Sequence, residues 1–179
     1  MSGWKNRAAN IYLIGPRASG KSTLAVEISS RTALKAVDAD RLLEGEQGQN
    51  ISTLVAARGW EHFRDLEEEI LSRIAAADKQ VVATGGGIVL RQKNRSLLKK
   101  GDGLTVYLFA DASLMLQRLK HDPLPDQRPP LSRHALEEEV HKTLAERDHL
   151  YRECADIILP AGLAVEVLVE RIIRKYAGS

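Results

Sequence analysis

Gly15-Pro16-Arg17-Ala18-Ser19-Gly20-Lys21-Ser22-Thr23 is the stretch from which the rest of the chain is read. It has the spacing GxxxxGK[ST], with Gly15, Gly20, Lys21 and Ser22 in the fixed places. An apolar run, Ile11-Tyr12-Leu13-Ile14, precedes it and reads as a buried strand; Leu24, Ala25 and Ile28 follow at helical spacing. That order is what phosphate binding needs. The loop turns sharply so that backbone N–H groups converge on an anion, and the following helix aims its positive N-terminal end at the same point. Lys21 then supplies a mobile cation to the β- and γ-phosphates of a nucleotide, and the Ser22 hydroxyl a ligand for Mg²⁺. Arg17, Ala18, Ser19 and Thr23 complete the expected nucleotide contacts.

Outward from the loop, apolar runs and helical stretches alternate. Strands are expected at 10–15, 35–38, 80–84, 104–109 and 156–159, with helices near 21–32, 51–58, 60–77, 91–100, 111–120, 134–152 and 163–176. The alternation predicts an α/β fold, a five-stranded parallel sheet with helices on both faces. Asp38 and the run Thr84-Gly85-Gly86-Gly87 each follow a strand, as the phosphate loop does, so all three are expected to face one crevice beyond the strands' carboxyl ends.

The 179 residues are expected to form one domain. Hydrophobic residues at 44%, charged residues at 28% and a net charge of +2 describe an ordinary globular protein with no general polyanion surface. Scattered Lys and Arg, with four tyrosines and two phenylalanines, argue against nucleic acid as a partner. No apolar run approaches a membrane span, and Met1–Arg7 leaves no room for a signal peptide before the first strand. The single cysteine, Cys154, suits a reducing compartment and reads as a half-buried structural thiol. The expected setting is cytoplasmic.

Four further segments carry chemistry. Asp38 and Asp40 end the second strand, where extended alternation would point both carboxylates one way, one toward Mg²⁺ and one toward a substrate hydroxyl; a helix N-cap is the alternative. Arg64 and Glu67, three apart in Phe63-Arg64-Asp65-Leu66-Glu67, share a helix face, either as a fixed guanidinium or as part of a solvated charged surface. Three consecutive glycines, 85 to 87, weaken a fold unless something must approach the backbone closely, and a phosphoryl group or substrate ring is expected there. His121 to Ser132 carries prolines 123, 125, 129 and 130 with no regular period, and reads as a mobile lid or a stiff linker. Arg128 in that segment and Arg147 on the next helix would add the cations that phosphoryl transfer requires, although Arg147 between Glu146 and Asp148 also fits a surface ion pair. His62, His121, His134, His141 and His149 show no metal-ligand spacing and read as surface residues.

Taken in order, GPRASGKST, VDAD, FRDLE, ATGGG, RPPL and ERDHLYRECAD resemble the shikimate kinase family, over roughly residues 10 to 177. Leu116-Gln117-Arg118-Leu119 also looks like this family. The resemblance implies a three-layer P-loop kinase fold with a lid at about 121–133, one domain over 1–179, and ATP-dependent phosphorylation of shikimate to shikimate 3-phosphate by a monomer. It implies that Gly15, Gly20, Lys21, Ser22 and Thr23 bind ATP phosphates, with Ser22 and Asp38 near Mg²⁺. Asp40 would hydrogen-bond the shikimate hydroxyls, Arg64 and Arg147 would clamp its carboxylate, and Gly85, Gly86 and Gly87 would lie against its ring. Arg118 would flank adenine, and Arg128 would close in with the lid; Lys21, Asp40 and Arg128 would be catalytic. Arg17, Ala18 and the second proline of RPPL depart from the usual pattern without removing a functional group. The competing readings are a gluconate-kinase-like enzyme, which would have less use for Arg64 and Arg147 together, and a non-catalytic nucleotide-gated module, which would be free to lose Asp40 or Arg128.

Overall fold

The computed structural model describes residues 9–121 and 133–178. Five parallel strands, β1 (Ile11–Ile14), β2 (Lys35–Asp38), β3 (Gln80–Ala83), β4 (Leu104–Phe109) and β5 (Ile157–Pro160), form one sheet in the order β2-β3-β1-β4-β5. The helices are α1 (Lys21–Arg31), α2 (Ala39–Gln47), α3 (Ile51–Ala75), α4 (Gln92–Lys100), α5 (Ala112–His121), α6 (Arg133–Cys154) and α7 (Val165–Gly178), with a 3₁₀ turn at Ile88–Leu90.

Alternation along each strand divides the core in two. Ile11, Leu13, Val81, Ala83, Val106 and Leu108 face one side, where Leu24 and Ile28 of α1 and Leu168, Val169 and Ile172 of α7 cover them. Tyr12, Ile14, Val82 and Tyr107 face the other, against Leu43 of α2, Leu54, Phe63 and Ile70 of α3, and Tyr151 of α6. With both faces covered the strands read as apolar runs rather than as alternating ones, which is why they are legible at all. Central β1 lies between β3 and β4, and its carboxyl end opens at the point where the strand order reverses.

The expected strands match to within a residue or two at their ends, and the parallel sheet is as anticipated. One helical element differs. Helix α2 was not expected, because Val37–Asp40 reads as an extended segment. Asp38 instead caps a helix through Oδ1, which accepts from the Arg41 N–H at 3.2 Å, so Asp40 sits in the first helical turn. Helices at 51–58 and 60–77 were expected apart, and they are: the stretch labelled α3 is two helices that meet at a sharp break at Gly59 (φ 81°, ψ 168°). Cys154 is buried rather than half-buried, and burial pushes its thiol up to about 11. No described helix is long and apolar enough to cross a membrane. The lid segment and Arg128 lie outside the described residues.

Candidate active site

The phosphate loop joins β1 to α1 through backbone that only small residues tolerate. Gly15 (φ 144°) has no room for a side chain, since a Cβ there would stand 2.7 Å from the Leu108 carbonyl oxygen. Ala18 (φ 61°) and Gly20 (φ 92°) both take left-handed conformations, which curl successive N–H groups toward one side. Gly20 caps α1 without any side-chain acceptor, so the first N–H groups of that helix are left for an incoming anion. Ser19 is buried beneath the loop. Its Oγ accepts from Lys21 Nζ at 3.3 Å, alongside the carbonyls of Gly15 (3.0 Å) and Pro16 (2.7 Å). Burial lowers the Lys21 ammonium to about 8, opposed by the nearby carboxylates of Asp40 and Asp38.

Beside the loop stand two acids with different surroundings. Asp38 accepts the Ser22 hydroxyl at 2.6 Å through Oδ2 while its other oxygen caps α2. Two hard oxygens thus meet at the end of α1, the donor type that Mg²⁺ takes when most of its shell is water and phosphate. Asp40 has its carboxyl raised to about 7, first by burial, then by the like charges of Glu67 and Asp38, with Lys21 opposing.

Glu67 is 3% exposed, which settles the alternative left open by its spacing: the Arg64–Glu67 pair lies inside the molecule. Arg64 Nη1 donates to Glu67 Oε2 at 2.6 Å, and the guanidinium lies over the rings of Phe63 (4.9 Å) and Trp60 (5.4 Å). Burial raises the Glu67 carboxyl, against the lowering effect of Arg64. Its other oxygen, Oε1, is buried with no hydrogen-bond partner among the described residues.

The three glycines form the floor between these groups. A Cβ on Gly85 would stand 2.6 Å from Glu67 Oε1 and 2.7 Å from Asp40 Oδ1; one on Gly87 would overlap the Arg64 guanidinium. Gly86 packs against the phosphate loop, its Cβ position 3.4 Å from the Arg17 N–H nitrogen. The close approach expected at this run is therefore real, and protein groups of the site make it. Above the floor, Arg147 Nη1 donates to the Gly86 carbonyl at 3.3 Å, and Tyr151 Oη donates to the same oxygen.

A cavity of about 630 Å³ brings together Arg17, Ala18, Gly20 to Thr23, Asp38, Asp40, Arg64, Glu67, Gly85 to Gly87 and Arg147. Gly15 and Ser19 shape the loop from beneath rather than lining the space. Arg118 braces the loop from outside, donating to the Ala18 carbonyl (3.0 Å) and the Ala161 carbonyl (2.7 Å). Sequence reasoning assigned no role to Tyr107, Asp148 or the Tyr151 hydroxyl. The available indication was Tyr107 itself: a phenol inside a buried strand has to find an acceptor.

Comparison with known proteins places the chain among relatives. A sequence profile of the shikimate kinase family matches residues 17–177. The shikimate kinase of Nitratidesulfovibrio vulgaris is 40% identical over 167 residues, covering 93% of this chain and 95% of that protein. Shikimate kinase 2 of an Enterobacter species is 39% identical over 163 residues, covering 91% and 92%. The structure of shikimate kinase from Acinetobacter baumannii in complex with shikimate superposes with a TM-score of 0.88 at 30% identity, covering 98% of this chain and 96% of that one.

Proposed function

The chain belongs to the shikimate kinase family, and on that premise we propose how its residues divide the transfer of the ATP γ-phosphoryl group to a shikimate hydroxyl. The observation that carries the reading is the juxtaposition of Arg64 and Arg147 with Asp40 on one glycine floor, in the same cavity as Lys21. A small polyhydroxylated acid needs such a set. Two guanidiniums hold a carboxylate by fixed, charge-assisted forks, and a carboxylate elsewhere orients the hydroxyls.

The loop N–H groups and Gly20 to Thr23 bind the nucleotide phosphates, while Gly15, Ala18 and Ser19 set the loop's shape. Lys21 moves from its loop carbonyls to the β/γ-phosphates, where its charge is worth most as negative charge shifts in transfer. Ser22 and Asp38 would hold Mg²⁺, which supplies further neutralisation of phosphate charge. Asp40 takes the proton from the attacking hydroxyl; a carboxyl raised to about 7 is well matched to that task near neutral pH. Arg118, bound to the loop's Ala18 carbonyl, is assigned to flank the adenine by its motif. Arg128 is assigned to the transferred group by its motif, and the lid over 121–133 and the single domain over 1–179 belong to the same proposal. The implied setting is a cytoplasmic monomer with ATP and shikimate as its ligands, and with neither nucleic acid nor membrane as partner.

Coupled ADP formation with shikimate, with gluconate and without acceptor tests the reading, each with and without Mg²⁺. Shikimate-dependent, Mg²⁺-dependent turnover is expected, with slow hydrolysis in the absence of acceptor. Turnover of gluconate but not shikimate would overturn it in favour of the sugar-acid alternative. Tight ATP binding without any transfer would leave a nucleotide-gated module.

A further inference from the structure

Tyr151 is fully buried on α6, one turn beyond Arg147 and on the same face of that helix. Its ring stacks on Tyr107 of β4, with centroids 4.9 Å apart and planes 27° from parallel. The Tyr107 hydroxyl donates to Asp148 at 2.7 Å, and Asp148 also accepts from Arg152 Nε at 2.6 Å. Two phenols therefore tie the turn of α6 just beyond Arg147 to its surroundings, and they end on different acceptors. Tyr107 reaches an acid on the helix. Tyr151 reaches the carbonyl of Gly86, on the floor of the site and in contact with the phosphate loop.

We propose that Tyr151 is a positioning residue for the substrate carboxylate: its hydroxyl occupies the Gly86 carbonyl and so fixes where the Arg147 guanidinium rests. This rests on the assignment of Arg147 to the carboxylate. A carbonyl has two lone pairs, and here both donors converge on one oxygen, with Arg147 at the longer distance of 3.3 Å. With the phenolic donor in place, Arg147 is held loosely and lines the cavity, with its Nε buried and without a hydrogen-bond partner among the described residues. Remove that donor and the buried carbonyl must be satisfied by Arg147 alone, because an unpaired buried acceptor is costly. The guanidinium is then drawn onto the backbone and away from an incoming carboxylate. Packing by itself does not need the hydroxyl, since phenylalanine would stack on Tyr107 equally well. The Tyr151 phenol stays protonated in this setting, raised to about 12 by burial with Arg147 opposing, so it is a donor throughout the working pH range.

The test compares Tyr151→Phe with Tyr107→Phe, each assayed well below its measured melting midpoint. Tyr151→Phe is expected to raise KM for shikimate about three- to tenfold, the worth of one hydrogen bond, with KM for ATP unchanged. It should also narrow the preference for shikimate over its uncharged methyl ester, a readout that a purely structural role would not move. Tyr107→Phe removes the Asp148 contact, keeps the stacking ring, and should lower the melting midpoint while leaving both KM values and the ester ratio in place. Wild-type shikimate KM and ester ratio in Tyr151→Phe would overturn the proposal. So would equal kinetic shifts in both variants, which would mean loss of helix packing. Arg147→Ala separates the two levels. If it leaves shikimate KM unchanged, the carboxylate assignment itself fails; if it raises KM while Tyr151→Phe does not, only the present inference fails.

Discussion

Ser22 Oγ donates a 2.6 Å hydrogen bond to Asp38 Oδ2, so the first turn of α1 and the last residue of β2 meet at a pair of oxygens. Asp38 has a second duty, because its Oδ1 caps α2 through the Arg41 N–H. Asparagine caps a helix about as well as aspartate and still accepts from a hydroxyl, but it brings no charge to a cation. Asp38→Asn should therefore keep its melting midpoint and need more Mg²⁺ for half-maximal rate, by about 10- to 100-fold as for other groups supporting a bound metal. A Mg²⁺ titration of activity alongside thermal melts checks this.

Asp40 gives a prediction on pH. Its carboxyl titrates near 7 in the folded protein and at the ordinary carboxylate value when unfolded. The unfolded chain loses this proton first, so the stability associated with it is present below about pH 4 and is lost as pH rises through 7. Asp40→Asn should melt higher than the parent at pH 8, with the gap closing toward pH 4, while turnover falls by about 10²–10⁴, the usual worth of a general base. In the parent, kcat/KM should fall on the acid side of pH 7. A flat profile between pH 5 and 8 would remove Asp40 from proton transfer.

Lys21 titrates in the opposite sense. Its ammonium is lowered to about 8 by burial, against 10.5 for the ordinary side chain. Between these values the unfolded chain holds the extra proton, so folded stability rises with pH across that window. Denaturation of the ligand-free parent and Lys21→Met should show the parent gaining relative to the variant from pH 8 to 10.5. Turnover of Lys21→Met should be lower by about 10²–10³, as for loss of one charge contact to a transition state.

Arg147→Ala tests the substrate clamp directly. Loss of a charge-assisted contact worth about 1.5–3 kcal/mol predicts a tenfold or greater rise in shikimate KM. The ATP contacts are untouched, so KM for ATP should hold. Equal weakening of both ligands would mean that Arg147, through the Gly86 carbonyl, supports the site as a whole rather than the substrate carboxylate.

Gly87→Ala reaches the other arginine without changing any charge. The new methyl would overlap the Arg64 guanidinium, which is bonded to buried Glu67 and must move aside. Displacing it weakens that buried pair, so the melting midpoint should fall while Arg64 leaves its place above the floor. Steady-state kinetics should show a raised shikimate KM with ATP unaffected, and the same pattern in Arg64→Ala.

The parts of this molecule that the sequence makes legible are those set by local rules. The phosphate loop is defined by glycine and lysine spacing, and β1, β3 and β4 are recognisable because strands covered on both faces are apolar throughout. What escaped is decided by tertiary placement. Asp38-Ala39-Asp40 is equally compatible with extended alternation and with a helix start, and only the Arg41 N–H bonded to Asp38 distinguishes them. The spacing of Arg64 and Glu67 gives a shared face but not whether that face is wet or dry. The glycine run signals close approach without naming what approaches, and the answer, two carboxylates and a guanidinium, comes from α2 and α3. Tyr107 and Tyr151 carry no local signature beyond being phenols in apolar surroundings.

The break at Gly59 has a consequence for protein design. Between Asp38 and Gly59 lie α2 and the first part of α3, a continuous stretch joined to the rest of the chain at a helix cap and at a glycine whose Cβ position is open space. Within it, Leu43, Ile51 and Leu54 are buried and must keep their volume, and Glu44 ties α2 to α3 by accepting the Ile51 N–H at 3.0 Å, whereas Arg41, which faces the cavity, is free of both demands. Exchanging this stretch as one cassette that keeps Asp38 and Asp40 would remodel the acceptor side while the phosphate loop stays untouched. The two joints also mark where a designed chimera should be cut.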